Sequence, residues 1–481
     1  MFSSLPVNKI FNILLKSSLV LFILYLYQAS SYLHDQSKLV LAMTLFICLS
    51  LFFRSIKPAQ IGTVTLFSFA LYFGWGIYAQ VTPDSDFKTF FHQSSSFATH
   101  FDFKTLFDSK SPPTTIYYAF FFYTLGRNYL TSYIASSIIW SIQIPLFYKA
   151  LRNFEISKEQ SKFVSLLYGL CPGIIFFATT ISSESLFCFF IISGFYLISR
   201  AKMSSSLKYA WLSGLCFGLF FLTRSNAIVF IIPYMIYLFI TQKRNTFFKA
   251  AFTIGILLPL FFQLELNKKY GERISFSSSP WGAYNFMVGT NRKSKGGFSV
   301  EDLELAGFKG PNKVSQAEAS QKAISIAYER IMNDPKDFAI FATTVKLERL
   351  WYTDSQAINI GVVRSEKNEE LKEELSTGKQ WLDSCLYMFI YSSLVFLLYQ
   401  FIISFQPSQE SKKEDDLLPI TLFPLVLLAG LHLFIEVQPR YHMPFFPFFA
   451  LYTGLLIANL GKIKEQLIQK MTSLKKQSIE D

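Results

Sequence analysis

Charge is scarce in this sequence. Acidic and basic residues make up 16% of its 481 residues, against about 25% in an ordinary soluble domain. Hydrophobic residues reach 51%, and the 54 Phe run along nearly the whole chain, which excludes one greasy domain attached to a soluble one. Cysteine is sparse as well. Cys48, Cys171, Cys188, Cys216 and Cys385 lie in or against apolar runs, and none has CxxC spacing. They read as small packing hydrophobes, neither disulfides nor metal ligands. HExxH, P-loop and GxSxG patterns are missing, which argues against a zinc protease, an ATPase and a hydrolase elbow. No internal repeat or low-complexity tract is evident.

What the chain has instead is a series of charge-free apolar runs near the roughly 17–25 residues that cross a bilayer. They are Ser17–Leu33, Leu39–Phe53, Ile61–Val81, Asn128–Tyr148, Phe163–Ser183, Ser185–Ser199, Tyr209–Thr223, Ser225–Gln242, Ala250–Leu264, Ser384–Phe405, Leu417–Ile435 and Tyr441–Gly461. The fold class expected is an all-α polytopic membrane protein with about 12 transmembrane helices. Ser17–Leu33 follows Lys9 and Lys16 and ends in small residues, as a signal peptide would. More spans follow at once, so an uncleaved helix is expected.

The net charge of +12 sits mostly in short breaks between apolar runs. That writes membrane topology and does not form a nucleic-acid face. With the amino terminus in the cytoplasm, the basic breaks at 54–57, 149–162, 200–208, 243–249 and 412–413 and the tail 462–481 fall inside. Gln406–Asp416 reads as a solvated cytoplasmic loop. Pro112–Leu125 is apolar but short, and counting it as a span would turn the later basic breaks outward. It reads as a re-entrant or interfacial helix on the outer face, opened by Pro112-Pro113.

The resulting plan has five parts. Residues 1–60 form a two-helix addition, 61–264 a transmembrane core with a first outer loop at 82–127, 265–383 an extracytoplasmic loop region, 384–461 the last membrane helices, and 462–481 a basic tail. In the long loop, Ser315–Met332 and Asp337–Tyr352 have helical apolar spacing. Gly289, Gly296 and Gly297 suggest a flexible, lid-like stretch between Trp281 and Phe298.

Several charged residues converge on the outer face. Asp84 and Asp86, just after a span, read either as a general base and metal-oxygen pair or as helix-cap acids. Glu184 interrupts two apolar runs, where an acid is expensive unless it meets water, a cation or a partner. Arg224 suits an anionic ligand by its fork of donors, or pairs with Glu184. Arg440 and His442 follow a short outer turn and could neutralise a phosphate leaving group, or anchor the interface with Tyr441. His34 and His432 read as structural.

The order of these motifs resembles the GT-C glycosyltransferases, specifically the glycosyltransferase 39-like group of protein O-mannosyltransferases and lipid A aminoarabinose transferases. The motifs are Pro83-Asp84-Ser85-Asp86-Phe87, Lys110-Ser111-Pro112-Pro113, Gly126-Arg127-Asn128, the Pro172–Glu184 hairpin, Tyr284-Asn285 to Asn291, Asn333-Asp334-Pro335, Lys346 before Trp351, and Val437 to His442. The resemblance implies a GT-C-type bundle with outer interfacial helices and a mixed extracytoplasmic loop. It implies transfer of a sugar from a polyprenyl-phosphate donor, dolichyl- or undecaprenyl-type, to a lipid, glycan or protein acceptor, with mannosyltransferase-like chemistry. Asp86 matches the family's first-loop acid, with Asp84 second, and Glu184 the second outer acid. Lys110, Arg224, Arg440, His442 and Asn285 are carried over as substrate-binding positions. A divalent metal ion is the only cofactor the resemblance suggests, and the separated acids leave it open. The site would face outward from a cell membrane, or into the endoplasmic reticulum lumen in a eukaryote. A transporter or flippase of lipid-linked glycans and a surface-glycan polymerase or ligase are the competing readings.

Overall fold

The computed structural model describes residues 7–31, 36–55, 60–83, 85–204, 206–241, 245–271, 275–277, 281–311, 313–354, 358, 368–403 and 417–480. Asp84, the basic pair Lys243 and Arg244, and the whole loop at 406–416 lie outside them. Among the described residues the chain is helical, with no strand.

The first helices are α1 (Val7–Ser31), α2 (Gln36–Ser55), α3 (Ile61–Ala79), α4 (Asp86–His100), α5 (Phe103–Phe107) and α6 (Pro112–Leu125). They lead into α7 (Tyr129–Asn153), α8 (Lys158–Gly169), α9 (Pro172–Phe177), α10 (Ser183–Ser204), α11 (Leu207–Thr223), α12 (Ile228–Thr241) and α13 (Thr246–Gly271). The long connecting region holds α14 (Gly282–Gly289), α15 (Val300–Ala306), α16 (Gln316–Met332), α17 (Pro335–Phe341) and α18 (Leu347–Trp351). The chain closes with α19 (Asn368–Ile403), α20 (Leu417–His432) and α21 (Phe446–Glu480).

By length and composition, seven of the described helices can cross a membrane, and three shorter apolar helices, Leu207–Thr223, Ser225–Phe239 and Leu417–His432, accompany them. The expected count of about twelve is not reached by this measure. One shortfall has a clear cause. Phe163–Ser183 is not one helix but α8 and α9, interrupted at Leu170-Cys171. Pro172 lacks the N–H that would continue the ladder and instead opens α9 at its first turn.

Pro112–Leu125 forms a single helix of 14 residues, opened by Pro112 and Pro113 as expected. Its start is tied to the first residue of α4 through Lys110, whose ammonium meets Asp86 at 2.7 Å. Its exit leads into α7, where the Tyr133 hydroxyl donates to Val81 O at 2.7 Å. The segments flanking α6 therefore both contact the junction between α3 and α4.

Helix contacts follow small residues. In α11, Gly214 and Gly218 form a small-xxx-small pair. A Cβ on Gly214 would stand 2.0 Å from Phe252 O in α13, and one on Gly255 would stand 2.3 Å from Trp211 O. The two backbones touch, which is how membrane helices gain dispersion contact where lipid removes the hydrophobic drive. The first two helices are sewn into the same body. Phe22 stacks on Phe445, the Trp351 indole N–H donates to Tyr25 Oη at 2.9 Å, and Lys38 pairs with Asp383 at 2.7 Å.

The long loop is more ordered than a lid. Ser315 caps α16 by accepting from the Glu318 amide, as the helical spacing anticipates. Gly289 and Gly296 do not serve flexibility. A side chain on Gly289 would run into the backbone of Phe434 and Ile435, and Gly296, at φ 71°, lies against the Lys346 stem. The expected mobile stretch is a close-packed junction.

Candidate active site

Four chain segments bring five charged residues together at one end of the bundle. Asp86 opens α4. The residue before it, Ser85, has φ 53° and ψ −125°, a conformation an L-residue adopts only at a cost of about 1–3 kcal/mol. Such strain next to a carboxylate persists when surrounding contacts over-determine it. Here Lys110 supplies one contact at 2.7 Å and Arg440 another at 3.7 Å, to the two separate oxygens of Asp86.

Glu184 lies in the first turn of α10, where the helix dipole favours an anion. It is almost fully buried. Arg224, in the break between α11 and the 3-10 turn Ser225–Ala227, reaches Glu184 Oε1 at 2.6 Å and donates through Nε to Ser183 Oγ at 2.9 Å. Arg440 Nε stands 3.5 Å from the same Glu184 oxygen. Arg440 thus bridges the two acids. Tyr441 lies under both guanidiniums, 5.4 Å from Arg224 and 5.6 Å from Arg440, and Phe87 lies 5.2 Å from Arg440. These rings cover faces of the planar guanidiniums and partly desolvate them. Lys110 also sits over Trp281 at 5.3 Å.

Burial alone would raise the pKa of Asp86. Lys110, by charge and hydrogen bond, and then Arg440 and Arg224 outweigh it, so the carboxyl is held below its usual range. Three cations face two carboxylates, a local excess of one positive charge. An anion entering this group meets preformed donors and adds no net negative charge to an acidic site.

The remaining sequence candidates divide. Asn285 is on α14, where its carbonyl accepts from the Glu436 amide at 2.8 Å; that places it behind the loop carrying Arg440. His442 does not join the cluster through its ring. It is fully buried, with Nε2 3.0 Å from Asp354 Oδ1 and Nδ1 2.8 Å from Leu350 O. Asp84 lies outside the described residues. His432 stacks on Tyr441 at 6.1 Å. Sequence reasoning missed the aromatic floor of Phe87, Tyr441 and Trp281, and the partner Asp354, which no motif marked.

A divalent ion does not fit the described site. No group of three or more His, Cys, Asp or Glu side chains is gathered as a cage among the described residues. Both oxygens of Asp86 face cationic side chains, which would repel a metal at the coordination positions.

Residues 110–264 match the family described as dolichyl-phosphate-mannose-protein mannosyltransferase. That segment includes Lys110, Glu184 and Arg224. No curated protein matches. Among solved structures, an Archaeoglobus fulgidus oligosaccharyltransferase, tethered with an acceptor peptide containing the NVT sequon, matches at 11% identity and a TM-score of 0.41. The match covers 82% of this chain and 49% of that one, so this chain spans about half the length of that relative. Over residues 110–264 the chain is similar to that family, in keeping with the resemblance drawn from the motifs that fall there; the motifs at 83–87, 284–291, 333–335, 346 and 437–442 lie outside the matched segment.

Proposed function

We propose that the protein transfers a sugar from a polyprenyl-phosphate donor to an extracytoplasmic acceptor, with mannosyltransferase-like chemistry. The observation that carries this reading is the bridge from Asp86 through Arg440 to Glu184, flanked by Lys110 and Arg224. It puts a carboxylate base and a phosphate-sized set of donors within one contact of each other.

In the reaction, the acceptor hydroxyl attacks the anomeric carbon and the bond from that carbon to the phosphate oxygen breaks. The electron pair leaves on polyprenyl phosphate, and the hydroxyl proton passes to Asp86. Arg440, Lys110 and Arg224 stabilise the negative charge that grows on the leaving phosphate. Free Asp86 is a weak base because its cations hold the proton off. A donor phosphate competes for Lys110 and Arg440, which raises the basicity of Asp86 when the substrate is in place. Glu184, pinned by Arg224 and Arg440, organises the guanidiniums and does not transfer a proton.

The acceptor class stays broad: a lipid, a glycan or a protein. The test is incubation of purified protein with labelled polyprenyl-phosphate mannose and a pool of acceptors. Release of polyprenyl phosphate by wild type, lost in Asp86→Asn, is expected. Movement of the lipid across vesicles without sugar release would instead establish the flippase reading.

A further inference from the structure

Arg440 works from a 3-10 turn, Pro439–Phe445, and the residues before it form no regular helix. One other segment, residues 342–354, fastens the chain on both sides of Arg440.

Upstream, the fastener is Lys346. It closes a π-helical turn, Ala342–Lys346, of the kind that recurs at functional sites. Its side chain is fully buried. A buried ammonium is ordinarily paired with a carboxylate. Lys346 Nζ donates instead to three backbone carbonyls: Gly289 O at 2.8 Å, Leu433 O at 2.9 Å and Ile435 O at 2.9 Å. An ammonium has three N–H donors, so each has a partner. Burial lowers the pKa of this lysine to about 7, while three oxygens aimed at the nitrogen favour the charged form. Alongside, the Glu436 amide donates to Asn285 O at 2.8 Å and the Val437 amide to Gly296 O at 2.9 Å. Residues 433–437 are therefore tied to the loop region through Lys346 and two backbone bonds, three residues short of Arg440.

Downstream, the fastener is the pair of His442 and Asp354. The Leu350 carbonyl accepts from Nδ1, which leaves Nε2 to share a proton with Asp354. Burial raises the pKa of Asp354, and the His442 hydrogen bond opposes that rise. Trp351 stacks on the His442 ring at 5.4 Å and 10°. Asp354 is itself held, because its amide donates to Asp383 Oδ1 at 2.9 Å while Lys38 holds the other oxygen of Asp383.

We propose that residues 342–354 are a clasp that aims Arg440 at Asp86 and Glu184, with Lys346 and Asp354 as positioning residues. Neither touches substrate; both act through the turn. The role given to Arg440 rests on the proposed function, but the clasp is measurable without a donor.

The experiment is hydrogen exchange on full-length protein in detergent, comparing wild type with Lys346→Met and Asp354→Asn. Lys346→Met orphans three carbonyls. The amides of Glu436 and Val437 should exchange about tenfold faster or more, the factor given by about 1.4 kcal/mol, while α7 exchanges at the wild-type rate. In parallel, binding of undecaprenyl phosphate should weaken in Lys346→Met, and adding Arg440→Ala should cost nothing beyond Arg440→Ala alone. Wild-type exchange at residues 433–441 in both variants overturns the clasp, as do additive binding losses. Should Lys346→Met not fold, Asp354→Asn, which keeps the shape, decides by the exchange of residues 439–445. Should wild type bind no undecaprenyl phosphate, the functional reading fails and the exchange result still judges the clasp.

Discussion

Replacing Glu184 by Gln should destabilise the protein, and phosphate should restore part of the loss. The substitution keeps size and one acceptor oxygen, turns the other into an NH2 donor, and removes the one charge that two guanidiniums share, at 2.6 Å from Arg224 and 3.5 Å from Arg440. Glu184 is 4% exposed and Arg440 10%, whereas Arg224 is 26% exposed. Removing one partner of a buried pair costs about 3–5 kcal/mol. The partial exposure of Arg224 puts the expected cost near the low end, about 3 kcal/mol, a large fraction of the roughly 5–15 kcal/mol that holds a typical fold together. The assay is thermal unfolding of purified protein in detergent. The midpoint should fall by on the order of 5 °C. With the internal anion gone, the two arginines form a vacant anion site, and inorganic phosphate should raise the variant's midpoint more than that of wild type. An unchanged midpoint with no greater response to phosphate would refute the electrostatic description of the site.

Two further outcomes follow from the same geometry. Lys110→Met removes the nearest cation from Asp86. Because that pairing depresses the carboxyl pKa, the group is ionised in wild type throughout the neutral range and loses its charge only as pH falls below the ordinary carboxylate range of about 4. The acid limb of kcat/KM should therefore move to higher pH in Lys110→Met, as measured from pH 3 to 7. The stability that this pair contributes should likewise be lost as pH falls, and should be absent at all pH values in the variant. With α6 read as non-crossing, a topology reporter fused after Asn153 should read cytoplasmic. An outside reading would separate the site residues across the membrane.

How much of this was legible beforehand depended on the range of the signal. Apolar run length is a local property, so α3, α7, α10 and α13 could be read directly. The interruption at Pro172 was also visible, but its effect depended on whether the chain resumed as the same helix, and run length does not report that. Parity carried the non-crossing α6: charge bias on all later breaks constrained one ambiguous segment. Glu184 and Arg224 could be gathered because each is a charge interrupting apolar sequence, which is costly without a partner; Asp86, Lys110 and Arg440, in polar breaks, were gathered by topology and motif order. Tyr441, Phe87 and Trp281 gave no such signal in a chain with 18% aromatics. His442 carries a charge-capable ring two residues from Arg440, yet its partner Asp354 is 88 residues away, and only the turn between Arg440 and His442 decides that their side chains part. The three glycines read as flexibility because glycine permits both motion and close approach; the partner backbone that distinguishes the two is remote in sequence.

The central claim is that Arg440, bridging two acids, takes the phosphate of a polyprenyl donor. The most direct measurement is the affinity of purified protein for undecaprenyl phosphate, wild type against Arg440→Ala. Truncating one partner of a desolvated charge pair costs about 2 kcal/mol or more, so affinity should fall at least about thirtyfold. Equal affinity in the two proteins would contradict the account.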